Sequence, residues 1–306
     1  MKYKLISEWK KKAEVSRLCN LFDVSRSGFY ASKLREKVSV ICSKTVHLKA
    51  EFASSGKSYG SRRLMTVLQA KGVAIGRYKV RRLMRQAHLS PVWKRKFVNT
   101  TDSKHDLPVA ENILDRDFNP SLPNTKWTSD ITYIRTRTGW LYLAVVMDLF
   151  SRKIVGWAMS PTMPADLVYR ALKMAIGARK PQPGLLIHSD RGSQYASAEY
   201  QNLLKQHGLI CSMSRKGNCW DNAAMERFFL NLKMERVWQR DYANQMEAVK
   251  DITEYIVGFY NCLRLHASLG NLPPMIYEKE QSLKKPIEVS ENTWPLQANN
   301  VIHRAI

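Results

Sequence analysis

Three runs rich in Val, Ile, Leu, Tyr and Trp follow one another at Trp127–Ile134, Trp140–Asp148 and Lys153–Ser160, broken only at Thr138-Gly139 and Phe150-Ser151-Arg152. Runs of that length and composition, punctuated by turn residues, predict a three-stranded meander, and the following segments must then pack around a sheet. Ala165–Ala178 has helical spacing, with Leu167, Val168, Ala171, Leu172 and Ala175 on one face. A short strand at Leu185–His188, a helix at Ser197–Gln206 and a fifth strand at Leu209–Met213 come next. After a loop containing Lys216-Gly217-Asn218, long helices are expected at about Asp221–Val237 and Asn244–Leu263. The order βββαβαβα predicts an α/β layout with a mixed five-stranded sheet.

Three carboxylates fall at telling places in that order. Asp130 lies inside the first strand, Asp190 at the carboxyl end of the fourth, and Glu226 one turn into the helix after the fifth. Strand ends and helix starts that meet at one sheet edge are where α/β folds assemble sites. Three converging carboxylates are hard oxygen ligands suited to Mg²⁺, and the matching chemistry is phosphoryl transfer. Lys233 follows Glu226 by two helical turns on the same face, with Asn222 one turn before it, so Lys233 is placed to hold substrate phosphate. Taken alone the triplet is weak, since 26 acidic residues permit many and Asp190-Arg191-Gly192 is also an ordinary turn.

Charge separates the two halves of the chain. Residues 1–105 hold 25 Lys or Arg against six Asp or Glu, a net of +19, whereas residues 106–306 hold 24 against 20, a net of +4. An excess of that size calls for an anionic partner. Within the basic part, Ser58–Gly72 reads as a helix with Leu64, Val67 and Leu68 on one face, and Gly72 as its stop. A second helix from Gly76 carries Val80, Leu83, Met84 and Ala87 on one arc, with Arg77, Arg81 and Arg85 on another. Helix, tight turn, basic helix predicts a helix-turn-helix in which Arg77, Lys79, Arg81, Arg82 and Arg85 meet DNA, with Lys94, Arg95 and Lys96 extending the backbone contact. The competing reading is a solvated basic face on an ordinary helical hairpin. A smaller helix-turn-helix-like segment is expected from Ala13–Asn20 and Arg26–Arg35, with Val15, Leu18, Val24, Phe29 and Leu34 packed together.

The expected domains are a helical segment at 1–38, a basic helix-turn-helix domain at 44–100, a linker at 101–122 rich in Asp, Asn and Pro, a catalytic core at 123–280 and a tail at 281–306. The longest apolar run, Leu141–Met147, has seven residues, far short of the roughly 18 a membrane helix needs. The first twelve residues lack a signal peptide's apolar stretch, which gives a cytoplasmic expectation with no membrane partner. Cys19, Cys42, Cys211, Cys219 and Cys262 form no Cys-x-x-Cys pair, which argues against structural disulfides and a zinc knuckle. Asp148 is expected to organise a turn, Asp221 to cap its helix, and His188 to lie beside the site. Trp127, Trp140 and Trp157 read as core, while Tyr260, Arg264 and His266 either touch DNA or pack the last helix.

The wording around these positions is more specific than their spacing. Lys126-Trp127-Thr128-Ser129-Asp130-Ile131-Thr132-Tyr133, His188-Ser189-Asp190-Arg191-Gly192-Ser193-Gln194-Tyr195 and Asp221-Asn222-Ala223-Ala224-Met225-Glu226-Arg227-Phe228-Phe229 resemble blocks of the retroviral-integrase-like insertion-sequence transposases. Thirty-five residues separate Asp190 from Glu226, the spacing that names this Asp-Asp-35-Glu group, and Lys233 occupies its usual basic position. Tyr59-Gly60 through Arg82-Leu83-Met84 looks like the family's helix-turn-helix, and Tyr260-Asn261, Arg264, His266, Leu269 and Pro273 look like its carboxy-terminal block.

The resemblance implies a ribonuclease-H-like core, preceded by an all-α helix-turn-helix region, that binds Mg²⁺, with Mn²⁺ as a substitute, through Asp130, Asp190 and Glu226. It implies cleavage at the ends of an insertion sequence and strand transfer by the freed 3′-hydroxyl. The partners it implies are double-stranded DNA at the element ends and target, further copies of the chain on that DNA, and the first-frame (OrfA) product. The chain would be the second-frame (OrfB) subunit of a bacterial element, acting alone, beside OrfA or fused to it by frameshifting. It departs from retroviral integrases in lacking their amino-terminal His-Cys zinc module. A catalytically silent DNA-binding regulator and a ribonuclease-H-like nuclease without strand transfer are the alternatives.

Overall fold

The computed structural model describes residues 2–37, 42–92, 109–215 and 218–284. Lys94, Arg95, Lys96, Lys216, Gly217 and residues 285–306 lie outside the described residues, as do the side chains of 34–37, Leu34 among them, and of Cys219. The chain divides into two compact units, Met1–Pro91 and Val92–Ile306. Among the described residues no helix is long and apolar enough to cross a membrane.

In the first unit, α1 (Lys2–Trp9), α2 (Val15–Leu21) and α3 (Arg26–Lys37) bury Ile6, Leu18, Cys19 and Phe29 together, with Tyr3, Val15, Phe22 and Val24 against them. Helix α1 has no period in the sequence because Ile6 is its one buried residue. A second group contains α4 (Ser43–Ser54), α5 (Ser61–Ala70) and α6 (Arg77–Gln86). The α5–α6 pair is the predicted one, with Leu64 and Leu68 buried on the first helix and Val80, Leu83 and Met84 on the second. Gly72, at φ +77°, turns the chain out of α5, and the Val73 amide reaches back to the Leu68 carbonyl. Helix α4 is an additional element and contributes buried Leu48 and Phe52.

The second unit is built on a sheet of order β3-β2-β1-β4-β5, formed by β1 (Lys126–Thr136), β2 (Gly139–Asp148), β3 (Ile154–Ser160), β4 (Leu186–Ser189) and β5 (Ile210–Met213). The first three strands are the predicted antiparallel meander. The crossover through α7 (Ala165–Arg179) brings β4 back parallel to β1, and α8 (Ala198–Gln206) does the same for β5 beside β4. This mixed five-stranded sheet is the ribonuclease-H-like arrangement.

Both faces of the sheet are covered, which explains the unbroken apolar run of β2. Ala144 and Val146 face a core with Leu167, Leu172, Tyr200 and Leu204 of α7 and α8. Leu141, Leu143, Val145 and Met147 face the opposite core with Met225, Phe228, Leu232 and Ile252. Those last residues belong to α9 (Ala223–Glu235) and α10 (Gln245–Glu254). The helix predicted over Asp221–Val237 is thus shorter, with 3₁₀ turns at Cys219–Asn222 and Val237–Gln239 on either side. The helix predicted over Asn244–Leu263 ends as regular α-helix at Glu254 and continues as a π-helical stretch, Tyr255–Tyr260.

Two boundary expectations need correction. The described part of the 101–122 segment is packed on the second unit: Leu114 is buried with Leu149 and Leu186, and the Met213 amide donates to the Glu111 carbonyl. Its Asp, Asn and Pro content reflects irregular backbone rather than freedom. At the other end, α11 (Pro274–Lys284) runs past residue 280 and is fastened by Glu278, which pairs with Arg179 and Lys153 and accepts from the Ser151 hydroxyl.

Candidate active site

Strand β1 pairs with β2 over Trp127–Thr136 but with β4 only at Lys126, Trp127 and Thr128. The two parallel strands therefore part at Ser129, and the next residue is Asp130. Its Oδ1 accepts from the Ile131 amide at 2.7 Å. Asp190 is the first residue beyond β4, and its Oδ1 accepts from the Gly192 amide at 2.9 Å. Glu226 stands in the first turn of α9, on its exposed side.

The fold brings these three near one another. Burial, then the charges of Asp190 and Glu226, push the Asp130 carboxyl well above the usual carboxylate range, against the pull of the Ile131 amide and Lys233. Partial burial also raises Glu226. Among the described residues no three His, Cys, Asp or Glu side chains stand as a ready-formed metal cage. Like charges spread apart and take local amides, as Asp130 and Asp190 do. A half-buried carboxylate beside two others is nonetheless a hard-oxygen set whose charge a divalent cation would balance.

Lys233 projects from α9 with its Nζ 4.8 Å from the Tyr133 ring centroid. Burial lowers its ammonium and the nearby Asp130 charge raises it. Asn222 is buried, and its Oδ1 accepts from the Thr128 hydroxyl at 2.6 Å. Thr128 is two residues before Asp130, so the two share a face of β1. His188 is buried between the Ser212 and Ser214 hydroxyls at 2.9 and 3.1 Å. Burial holds its pKa down to about 4, so it is a neutral packing residue linking β4 to β5.

Asp221 does not cap α9. It has no solvent exposure and accepts from Arg215, Arg116 and Asn112 at 2.9–3.0 Å. The Arg215 hydrogen bonds, then that of Arg116, hold it well below the usual carboxylate range despite burial. Asp148 organises its turn as predicted, accepting from the Asn124 and Phe150 amides and from Arg179. Trp127 is core, while Trp140 is 46% exposed and edge-on to Tyr133. Arg264 is buried against Glu235, with Tyr260 and His266 packed edge-to-face beside it, which makes this block a packing device and not a DNA contact.

In the first unit, Arg77, Arg81, Arg82 and Arg85 are exposed along α6 and Lys79 is half-buried. Tyr78 stands among them at 85% exposure, although its position in a basic run had not marked it.

Residues 44–97 match the HTH-like domain family. Integrase core domain families match residues 120–219 and 207–274. A Shigella sonnei relative, the insertion element IS600 uncharacterized 31 kDa protein, is 42% identical over 274 residues, covering 86% of this chain and 98% of its own length. Transposase InsF for insertion sequence IS3A of Escherichia coli (strain K12) is 40% identical over 285 residues, covering 92% and 99%. The chain belongs to the insertion-sequence transposases.

As a transposase with an integrase core it is a polynucleotidyl transferase of the Asp-Asp-Glu group. The transposase is also similar to the simian T-cell lymphotropic virus intasome, solved by cryo-electron microscopy with the PP2A regulatory subunit B56 gamma. There it is 15% identical at a TM-score of 0.45, over 85% of this chain and 80% of that one. The HTLV-2 integrase catalytic core domain in complex with magnesium is 18% identical at a TM-score of 0.40, over 51% and 97%.

Proposed function

We propose that Asp130, Asp190 and Glu226 are the catalytic and metal-binding residues of this transposase. The observation that carries the reading is the parting of β1 and β4, which leaves Asp130 and Asp190 at the mouth of the split with Glu226 close enough to shift Asp130. A divalent cation held there, Mg²⁺ or in its place Mn²⁺, supplies activation of the attacking oxygen and neutralisation of charge on the phosphate. Lys233, half-buried over Tyr133, holds a non-bridging phosphate oxygen. Water attacks a phosphodiester at an element end, the P–O3′ bond breaks, and the departing 3′-oxygen takes a proton. The freed 3′-hydroxyl then attacks a second phosphodiester, loses its proton, forms a new P–O bond and displaces another 3′-oxygen. No covalent link to the protein is needed.

The basic unit grips double-stranded DNA through Arg77, Lys79, Arg81, Arg82 and Arg85, with Lys94, Arg95 and Lys96 adding phosphate contacts. Residues 44–100 act on DNA, and the core, with the packed segment from residue 109 at its start and α11 at its end, carries the chemistry. Several copies assemble on the element ends in the bacterial cytoplasm, together with the first-frame product or fused to it. Asp130→Ala, Asp190→Ala and Glu226→Ala are each expected to abolish cleavage of an oligonucleotide carrying the element's ends while leaving its binding unchanged. Cleavage at the wild-type rate by any one of them overturns the assignment, and cleavage without joining favours a plain nuclease.

A further inference from the structure

The loop that leads into the catalytic helix is fastened at both ends next to the carboxylates. At its start, the Ser214 amide donates to the Ser189 carbonyl at 2.9 Å, and Arg191 donates to the Ser214 carbonyl at 2.6 Å, on either side of Asp190. At its end, Asn222 accepts from Thr128, two residues before Asp130. Between these, Asp221 is fully buried and held by Arg215, Arg116 and Asn112. Trp220 stands immediately before those two buried residues, yet it is 68% exposed.

A single exposed apolar side chain is ordinary on a protein surface. What distinguishes this one is that its next two neighbours are buried and hydrogen-bonded, Asn222 to the strand that carries Asp130. A second observation marks the same turn as built for a ligand. Asn222 is 6% exposed, its Oδ1 is taken by Thr128, and its Nδ2 finds no acceptor among the described residues. A buried amide donor without an acceptor is costly, and a nucleic-acid phosphate or base edge carries the acceptors it needs.

We propose that Trp220 stacks on an unpaired nucleobase at the DNA end held in the active site, with the Asn222 Nδ2 donating to the same nucleotide. The proposal rests on the assignment of Asp130, Asp190 and Glu226 as the site of cutting. An indole offers a flat face that any base can cover, so the contact is tolerant of sequence. In the interior of a duplex both faces of a base are already stacked, and extrusion costs free energy, least where the base is terminal or unpaired. The occupant is therefore the end nucleotide beside the phosphate being cut or joined, and the contact selects for ends that fray.

The test uses the full chain and a pre-cut duplex ending in the element's own terminal sequence, with an unpaired 5-iodouracil as the last base. Irradiation is expected to crosslink the base to the peptide containing Trp220. Trp220→Ala should abolish that crosslink and weaken binding of this duplex roughly 5- to 150-fold, the range spanned by base–aromatic stacking. Trp220→Phe should retain most of both, which a loss of folding would not allow. A crosslink mapping elsewhere, or equal binding and crosslinking by Trp220→Ala, overturns the stacking contact. Wild-type cleavage by Glu226→Ala would instead overturn the catalytic assignment, and the crosslink, read on pre-cut DNA, reports independently of it.

Discussion

Asp221 ties its own loop to a segment more than a hundred residues away: Arg215 nearby and Asn112 and Arg116 from that segment all donate to one carboxylate with no exposure. Its carboxyl sits below the ordinary range in the folded state, chiefly through Arg215. A depressed carboxylate contributes stability that is present above the unfolded value of about 3.9 and is lost as pH falls through the folded one. Asp221→Asn is expected to lower stability at pH 7 by about 1–3 kcal/mol, the loss of charged hydrogen bonds to half-exposed guanidiniums. The variant's deficit should shrink on going from pH 7 to pH 3.5, and urea melts at the two values check it; an equal deficit at both would contradict the pairing. At this scale the places of Asp130 inside β1, Asp190 just beyond β4 and Glu226 in the first turn of α9 were legible, because the elements that carry them are strongly patterned. Asp221 was not, since its position before a helix reads as a cap and its partner Arg116 lies 105 residues away. Trp140 misled for a similar reason: a tryptophan on a strand reads as core, but the start of β2 is exposed.

The sheet elements were legible because they are apolar runs of strand length bounded by turn residues, and α7 because its buried positions have a helical period. Helices α1, α4 and α11 were not, as each buries only one or two apolar residues, and α11 is held by the ion pairs of Glu278 instead. Packing between elements shows most sharply at Gly156 of β3. A Cβ there would meet the Ala171 carbonyl oxygen at 2.3 Å and the Ala175 Cβ at 2.8 Å, so α7 lies directly on the glycine. Gly156→Ala must push the helix off the sheet and is expected to cost about 1–3 kcal/mol or more. Gly177, on α7 itself, has nothing within 4 Å of its own Cβ position. Gly177→Ala should stabilise by about 0.4–1 kcal/mol, through helix propensity and a restricted unfolded chain. Thermal melts of the two variants should therefore move in opposite directions, and a shared direction would refute the packing argument.

Across the whole molecule, the division of charge between +19 and +4 falls close to the division of the fold into Met1–Pro91 and Val92–Ile306. Phosphate contacts release counterions, so DNA affinity should fall steeply with salt. Replacing Arg81, Arg82 and Arg85 together with Ala is expected to reduce the slope of log affinity against log salt by about 2.7, near 0.9 for each lost contact. A titration between 50 and 300 mM salt with an unchanged slope would remove α6 from the interface. The split sheet has a consequence in time as well as in space. Asp130, Asp190 and Glu226 arrive in that order on elements separated by long stretches of chain. At a synthesis rate of about 5–20 residues per second, Glu226 leaves the ribosome's catalytic centre roughly 2–7 s after Asp190. A nascent chain can thus complete its meander and fold its basic helices before it holds the last of the three carboxylates proposed to cut.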